Sequence, residues 1–250
     1  MNISLDKRPS IVTQKQKAKQ MFSYFGSKSK IIKTYPTPKF DTIIEPFAGS
    51  AQYACLYGLD KPVWINDKYT VIYNIWKWLQ NATIKDIDNL PELKLCERVS
   101  DITYLSQVEK DLLGFSIGIS SNAPRDKCTW MAANNNSVLQ FKKRVKRIIG
   151  KIDHWLITNL DYTECIIPEY NCTYFLDPPY QYRNSDYVIS NNTNFYIELA
   201  AHITNLKGHI LTCESIKANW LHDFKLHEIM YTTSGCHCEM LSNRMNKIES

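Results

Sequence analysis

The sequence lacks the long apolar segments that membrane insertion and secretion require. None of its apolar runs reaches the length of a bilayer span, and residues 1–20 are polar and rich in lysine where a secretory signal would be apolar. We therefore expect a cytoplasmic protein without membrane contact, whose 8 cysteines are reduced rather than joined in disulfides. The length of 250 residues suits one α/β domain, or such a core with an insertion.

Glycine is scarce, with 8 residues, and no glycine-rich nucleotide motif is complete. The basic turn at residues 26–29, ahead of a predicted helix, lacks the first glycine of a P-loop, which argues against a nucleoside triphosphatase. The turn at residues 47–51 contains only Gly49, so it is not a GxGxxG motif. It lies between an apolar strand over residues 41–46 and a helix through Tyr57. That position predicts the first turn of a dinucleotide-type fold, where the backbone approaches a ligand closely.

Metal-ligand spacing is also missing. The segment Cys236-His237-Cys238 has no second, well-spaced pair of ligands that would complete a zinc site. We therefore interpret this segment as part of a strand, and we expect no bound metal.

Positive charge is concentrated in two places, although the net charge of +5 is mild. Residues 1–39 contain a single acid, Asp6, among many lysines, and residues 141–151 contain no acid beside their lysines and arginines. Two such clusters favour a polyanionic partner. The alternative is a solvated helix face together with a disordered tail.

The order of elements predicts an interrupted α/β core. Strand and helix patterns alternate over residues 21–80 and again over residues 151–250, but not over residues 81–150. We interpret the middle segment as an inserted, mostly helical recognition subdomain, and residues 1–20 as a basic, disordered tail. The other predicted strands are 62–66, 155–160, 174–176, 208–212 and 226–231, with 235–241 as an antiparallel partner, and the other predicted helices are 70–79, 193–206 and 215–222.

Carboxylates stand at or near the carboxyl ends of four predicted strands. These acids are Glu45, Asp67, Asp161 and Asp177. Ligands of an open α/β sheet bind outside the carboxyl ends of its strands, so we expect the four acids to converge on one crevice. Asp67 also follows Gly49 at nearly the spacing of about 20 residues at which such folds place an acid on a ribose. The alternative role for Asp67 is to cap the helix over residues 70–79.

The stretch Phe-Leu-Asp-Pro-Pro-Tyr at residues 175–180 combines three chemical features at the end of a strand. Asp177 is a hydrogen-bond acceptor. Pro178 and Pro179 stiffen the following turn and set the direction of its carbonyls. Tyr180 adds a flat aromatic ring. Together they suit a planar base with an exocyclic amine, and the alternative is an ordinary exit from a strand into a turn.

The chain resembles the adenine-specific DNA methyltransferases of the DNA adenine methylase type. The motifs that carry the resemblance are YFGSKSKII, EPFAGSAQY, IND and FLDPPY, in that order and with an insertion before the last. The resemblance covers the chain from about Met21 to its C-terminus. It implies a Rossmann-like methyltransferase fold with an inserted DNA-recognition subdomain. It also implies methyl transfer from S-adenosylmethionine to the exocyclic amine of a flipped-out adenine in double-stranded DNA.

The resemblance further implies the roles of individual residues. Glu45 would lie near the methionine end of the cofactor, Asp67 would hold the ribose hydroxyls, and Asp161 would accept from the cofactor's adenine amine. Asp177 and the Pro178 carbonyl would accept from the target amine. The implied cofactor-binding residues are Tyr24, Phe25, Gly26, Lys28, Glu45, Pro46, Phe47, Ala48, Gly49, Ser50, Asp67, Asp161, Tyr162 and Asp177, and the catalytic residues are Asp177, Pro178, Pro179 and Tyr180, whose ring would stack on the base.

Two segments of the insertion are candidates for contact with DNA. Residues 138–149 have apolar side chains at helical spacing with basic residues between them, which predicts an amphipathic helix with a basic outer face. Residues 114–125 are rich in Gly, Ser, Asn and Pro and are predicted to form a loop, in which Asn122 and Arg125 are candidate base readers. The candidate phosphate contacts on the helix are Lys142, Lys143 and Arg144.

Three departures from the family pattern keep other functions open. Ala51 stands where the family commonly has a second glycine, Ser27 stands where it often has one of a pair, and the insertion lacks the family's usual Phe-Asn-x-Pro-x-Gly stretch. Ala51 and the altered insertion leave a DNA-binding homologue without turnover as one alternative. The other is a methyltransferase for a different nucleic-acid amine, because the same site chemistry would serve it.

Overall fold

The computed structural model describes residues 21–24, 31–118, 121–166, 171–182, 188, 193–215, 217–221, 229–233 and 237–246. Within these ranges the chain forms a seven-stranded sheet whose order is β3-β2-β1-β4-β5-β7-β6. The strands are β1 (Ile43–Glu45), β2 (Val63–Asn66), β3 (Leu156–Thr158), β4 (Cys172–Leu176), β5 (Gly208–Ser215), β6 (Ile229–Thr233) and β7 (His237–Asn246). The first five are parallel, and β7 runs antiparallel between β5 and β6. The predicted Rossmann-like α/β fold is confirmed.

Helices surround this sheet and fill the insertion. They are α1 (Gln52–Tyr57), α2 (Thr70–Asn81), α3 (Ile84–Asn89), α4 (Gln107–Ile117), α5 (Trp130–Asn134), α6 (Ser137–Val145) and α7 (Thr193–Asn205), with short 3-10 turns at Ile32–Thr34 and Tyr162–Glu164. In the part of the chain that the structure describes, no helix combines the length and the apolar character that crossing a membrane would need.

The central strands are buried on both faces, which is why their sequence is continuously apolar. Phe175 of β4 points into one hydrophobic cluster and Tyr174 into the other. Neighbours on β1 alternate in the same way, with Ile43 on the first side and Ile44 on the second. On the first side Phe175 stacks on Tyr53 of α1, with ring centroids 4.6 Å apart and planes 3° from parallel.

The insertion shares its core with the sheet. Phe115 of α4 and Trp76 of α2 both pack on Phe22, with ring centroids 5.7 and 5.8 Å from it. Buried side chains of α3, α4, α5 and α6 belong to the same cluster as Ile43 and Phe175. The helices of residues 81–150 therefore continue the core on one face of the sheet.

The predicted loop over residues 114–125 is wrong in its first part, because α4 extends to Ile117. The helix begins at a capping box in which Ser106 and Glu109 bond reciprocally. Gly114 lies so close to the returning chain that a Cβ would stand 2.7 Å from Pro124 and 2.8 Å from the Arg125 carbonyl oxygen. That glycine serves a close approach of two segments, not a turn.

The C-terminal part also departs from the sequence prediction. Strand β5 continues three residues beyond 212, because Cys213 and Ser215 remain paired with β7. The helix predicted over residues 215–222 is wrong for its described part, since residues 217–221 form turns. The antiparallel partner strand at residues 235–241 is confirmed as the start of β7.

The helix predicted after residues 26–29 is also wrong for its described residues, which form only the short turn Ile32–Thr34. Tyr35 then takes an extended conformation with ψ 149°. The following Pro36 disfavours the helical region for the residue before it, which accounts for the early end.

Candidate active site

The site is built where the strand order reverses, between β1 and β4. In an open α/β sheet the connections diverge at this point and leave a crevice at the carboxyl ends of the strands. Glu45 is the last residue of β1, and Asp177 directly follows β4. Glu214 lies at the carboxyl end of the next strand, β5. Three neighbouring strands thus end in carboxylates.

The turn after β1 is held on several sides. Gly49 has φ +48°, donates its N–H to Asp67 Oδ2 at 2.8 Å, and accepts from the Trp76 indole at 2.8 Å. Asn66 donates to the Pro46 carbonyl at 3.0 Å. Ala51 has φ +43°, a left-handed conformation that glycine adopts without strain. Ala51 stands where the resembled family commonly has a second glycine, and the backbone conformation at this position favours glycine.

Tyr24 lies directly over this turn. A Cβ at Gly49 would stand 2.9 Å from the Tyr24 ring, so glycine at this position permits the close contact. The Tyr24 ring also packs edge-on against Phe115, at 5.7 Å. The structure thus places Tyr24 beside the predicted cofactor turn, whereas residues 25, 26 and 28 of the same predicted group lie outside the described residues.

Asp67 links the turn to the following helix. Besides bonding Gly49, it accepts from the Tyr69 N–H at 2.9 Å. The N-cap of α2 is Tyr69 and has no side-chain cap bond, so the alternative role of Asp67 as helix cap is wrong. Burial raises the pKa of Asp67 to about 6, although the two backbone hydrogen bonds act in the opposite direction.

Glu45 is a buried acid with 1% of its surface exposed. It accepts a short hydrogen bond from the Ala54 N–H in α1. Burial, together with the charge of Asp177, raises the pKa of Glu45 to about 8, although the bond from Ala54 favours ionisation. Glu45 is therefore largely protonated at neutral pH.

Glu214 is a fifth carboxylate of the site, and the sequence patterns missed it. It is fully buried, and it accepts from the Trp220 indole N–H at 2.8 Å. Burial raises its pKa to about 7, with a further contribution from Asp177 and opposition from hydrogen bonds. The predicted strand ends at residue 212 and the predicted helix begins at residue 215, which leaves Glu214 in the connection between them. Extending the strand through Cys213 would have revealed this acid.

The residues after β4 form the other wall of the crevice. Asp177 is partly exposed and interacts with both Glu45 and Glu214. The Pro179 carbonyl accepts from the Tyr196 hydroxyl at 3.1 Å. Tyr180 is largely buried, with 7% of its surface exposed. The predicted stacking of its ring on a base would therefore require the ring to leave this buried position.

Asp161 lies beyond the end of β3 and is already paired. It accepts from Lys68 at 2.8 Å and from the Thr163 hydroxyl at 2.9 Å. Partial burial opposes ionisation, but the bonds from Lys68 and Thr163 outweigh it and lower the pKa of Asp161. The next residue, Tyr162, packs on Phe47 of the glycine turn with ring centroids 5.2 Å apart.

Lys142 does not lie on the basic face that the sequence predicted for residues 138–149. Its side chain is 8% exposed, and its ammonium donates to the Asp88 carbonyl at 3.1 Å. Lys142 can be buried because its long aliphatic side chain packs among apolar groups, while its ammonium lies at the C-terminal end of α3. Arg144 is half-buried and reaches the Met21 carbonyl at 3.4 Å. Lys143 and Arg147 are exposed.

The predicted base readers lie in a different part of the insertion. Arg125 is exposed and, together with Lys127, lines a cavity of about 440 Å³ between residues 95–96 and 125–129. Asn122 is half-buried nearby in the chain. Neither residue belongs to helix α6.

No family model matches the chain, and no curated protein matches it. Among solved structures it is similar to an S-adenosylmethionine-dependent O-methyltransferase from Thermotoga maritima, at 11% identity and a TM-score of 0.37. That match covers 89% of this chain and 66% of the other, slightly less than two thirds of its length. Two structures of the rRNA methyltransferase aviRa from Streptomyces viridochromogenes match at 10% and 11% identity, with TM-scores of 0.38 and 0.39, and cover 83% of this chain and 79% of theirs.

Proposed function

We propose that this chain transfers a methyl group from S-adenosylmethionine to the exocyclic amine of an adenine in double-stranded DNA. One observation carries the proposal. The Asp177-Pro178-Pro179-Tyr180 segment follows β4 at the reversal of strand order, and the glycine turn follows the neighbouring strand β1. This arrangement supports a site for a base amine and a site for a nucleoside cofactor that share one crevice.

The residues present fit S-adenosylmethionine. The left-handed turn at Gly49 and Ala51 brings backbone to the crevice, and Asp67 stands beside it. Glu45 is buried at the end of β1 with a raised pKa, and a nearby ammonium group of the cofactor would lower that pKa and favour the ionised carboxylate. When bound, the cofactor supplies a methyl group that is already activated on a sulfonium. Glu45, the 46–50 turn and Asp67 would hold it, with Tyr24 covering the turn and Tyr162 packed behind Phe47.

The residues that follow β4, Asp177 and Pro178, act on the target amine. The amine of adenine is a weak nucleophile because its lone pair is conjugated with the ring. The Asp177 carboxylate and the Pro178 carbonyl accept hydrogen bonds from the two amine hydrogens and so favour a pyramidal nitrogen with a free lone pair. The remaining contribution is alignment, which is worth several kcal/mol in reactions of this kind.

The base has to leave the duplex to reach this crevice. We propose that the Tyr180 ring turns out of the hydrophobic cluster to stack on the flipped adenine. The exposed Lys143 and Arg147 replace Lys142 as candidate contacts with the DNA phosphates. Such contacts set affinity and its dependence on salt, but not sequence.

The test is transfer of a labelled methyl group from S-adenosylmethionine to duplex DNA rich in adenine, followed by nucleoside analysis. We expect label on adenine with the wild-type chain. We expect at least ~100-fold less with Asp177→Ala, because an acceptor made for the reacting amine is lost. Calorimetry should show that cofactor binding is largely intact in the variant, since Asp177 acts mainly on the base.

Three other outcomes would overturn this proposal in different ways. Label on RNA or on cytosine alone would establish the alternative substrate class. Tight binding of DNA without measurable cofactor binding would establish a homologue that has lost turnover. Normal transfer by Asp177→Ala would show that the mechanism is wrong.

A further inference from the structure

The main chain around the proposed catalytic residues is held from both sides by a buried network. On one side the Pro179 carbonyl accepts from the Tyr196 hydroxyl of α7 at 3.1 Å. On the other side the Gln181 N–H donates to Glu214 Oε2 at 3.3 Å. These bonds flank Tyr180 and belong to elements that are remote from it in sequence.

Glu214 is the centre of this network. Its carboxyl is fully buried and accepts from three N–H groups, those of Gln181, Ser215 and Trp220. The Ser215 N–H donates at 2.6 Å and the Trp220 indole at 2.8 Å. All three partners are hydrogen-bond donors, so the ionised carboxylate, which only accepts, satisfies all of them. A protonated carboxyl carries a hydrogen on one oxygen, and that oxygen then faces a donor.

The two sides of the network are joined through aromatic packing. Trp220, which donates to Glu214, packs on Tyr196 with ring centroids 5.9 Å apart. Tyr196 is 3% exposed and Trp220 is 8% exposed. The Gln181 side chain closes the arrangement by accepting from the Asn219 N–H at 3.0 Å. A rigid connection therefore runs from the end of β5 to the residues after β4.

We infer that Glu214, Tyr196 and Trp220 form a positioning clamp that orients the Pro178–Gln181 main chain, and with it the acceptors for the target amine. This inference rests on the proposed methyl transfer, since a clamp for the acceptors has a purpose only if they act on a substrate. The three side chains do not touch the reacting atoms. Their effect passes through the direction of the Pro178 carbonyl and the position of Asp177.

The charge state of the clamp follows from its surroundings. Among the described side chains, the titratable groups that face Glu214 are Asp177 on one side and Tyr196 on the other. Burial first, and then Asp177, raise the pKa of Glu214 to about 7. The clamp is therefore complete above this pH, where the carboxylate is ionised, and kcat should fall as pH drops through about 7.

The test compares the full-length wild-type chain with Tyr196→Phe, Trp220→Phe and Glu214→Gln. Tyr196→Phe keeps the ring packing and removes only the bond to Pro179, so we expect kcat to fall by about tenfold. Affinity for S-adenosylmethionine, measured by calorimetry, should change by less than about twofold, because the cofactor residues are untouched. In Glu214→Gln the decline of kcat below pH 7 should disappear, together with most of the activity.

A matched control is available in Tyr53→Phe. Tyr53 also donates its hydroxyl to a proline carbonyl, that of Pro36 at 2.8 Å, but outside the clamp. This variant should lose stability to a similar extent without a change in kcat. If Glu214→Gln does not fold, Tyr196→Phe and Trp220→Phe still decide the question.

The outcomes separate the two proposals. Wild-type transfer together with unchanged kcat in Tyr196→Phe and Trp220→Phe would overturn the clamp and leave the methyltransferase function standing. A loss of cofactor affinity equal to the loss of kcat would also overturn the clamp, because it would indicate a general structural role. A wild-type chain without any transfer would overturn both.

Discussion

At the scale of single residues, the site is marked by groups in unfavourable environments. Glu45 is buried beside another carboxylate, and Ala51 adopts a left-handed backbone conformation. Such features cost stability and persist where the surrounding structure holds them in place. Both lie close to the carboxyl end of β1, beside the crevice for which methyl transfer is proposed.

The pH dependence of stability should report the buried state of Glu45. Its pKa rises from 4.5 in the unfolded chain to about 8 in the folded protein, chiefly through burial. The contribution of Glu45 to the free energy of unfolding is thus fully present below pH 4.5 and is lost as pH rises to about 8. Glu45→Gln keeps an acceptor for Ala54 and removes the ionisation. We expect it to be more stable relative to wild type at pH 8 than at pH 5, by on the order of 2–4 kcal/mol.

Urea unfolding at a series of pH values would measure this difference. The exposed Glu92→Gln is the control, and its free energy of unfolding should stay within about 0.5 kcal/mol of wild type. Equal pH slopes for Glu45→Gln and wild type would contradict the assignment of a buried, protonated Glu45.

Gly49 and Ala51 both have a left-handed backbone conformation, so glycine-to-alanine and alanine-to-glycine substitutions should change the stability in opposite directions. Gly49→Ala adds a Cβ at 2.9 Å from the Tyr24 ring and forces alanine to φ +48°. We expect a loss of about 1–2 kcal/mol in the free energy of unfolding. Ala51→Gly relieves the same strain two residues further on, but it also makes the unfolded chain more flexible, so the net gain should be only about 0.5–1 kcal/mol. Chemical denaturation measures both, and two changes of the same sign would contradict the strain argument.

At the scale of elements, the basic residues of helix α6 and of the turn that follows it have two different roles. Lys142 and Lys146 turn towards the end of α3 and meet Asp88, whereas Lys143 and Arg147 remain exposed. The hydrophobic spacing of Val138, Phe141 and Val145 sets one face of this helix. It does not decide whether a long lysine beside that face enters the core or solvent.

This division predicts two different outcomes of charge removal. Lys143→Gln combined with Arg147→Gln should weaken DNA binding at every sequence and reduce the slope of log Kd against log salt by about 2, one for each lost phosphate contact. Lys142→Gln should leave that slope unchanged and lower the melting temperature, because a buried ammonium and its bond to Asp88 are lost. Filter binding over a salt series tests the first effect, and thermal unfolding the second. A sequence-selective loss with the double variant would instead assign α6 to base readout.

At the scale of the whole molecule, the insertion and the sheet unfold together if they share one core. Phe115 is fully buried between Phe22 and Tyr24, which connects α4 to the residues over the glycine turn. Phe115→Ala should therefore cost about 3–5 kcal/mol and shift a single transition. Tyr104→Ala, at a residue of the insertion that is 71% exposed, should change stability by less than about 0.5 kcal/mol.

Far-ultraviolet circular dichroism and tryptophan fluorescence would follow this unfolding. Coincident transitions are expected for wild type and for Phe115→Ala. A separate early transition in the variant would show that residues 81–150 form an independent folding unit.

Local patterns alone determined the architecture of the core and four of the five acids at its strand ends. The buried parallel strands are short apolar runs, so β1, β2 and β4 could be located from composition, and the acids followed as the residues after each run. The glycine turn and the proline pair could also be located, because both depend on the conformational limits of single residues.

Only the tertiary structure decided which polar groups those elements bury. Glu214 became part of the site because β7 pairs with β5 beyond residue 212, and a strand partner distant in sequence leaves no local pattern. Lys142 entered the core because Asp88 offers its ammonium a carbonyl. The clamp around Pro178–Gln181 likewise depends on three segments that meet only in the folded chain, since hydrogen bonds between remote residues carry no periodicity in the sequence.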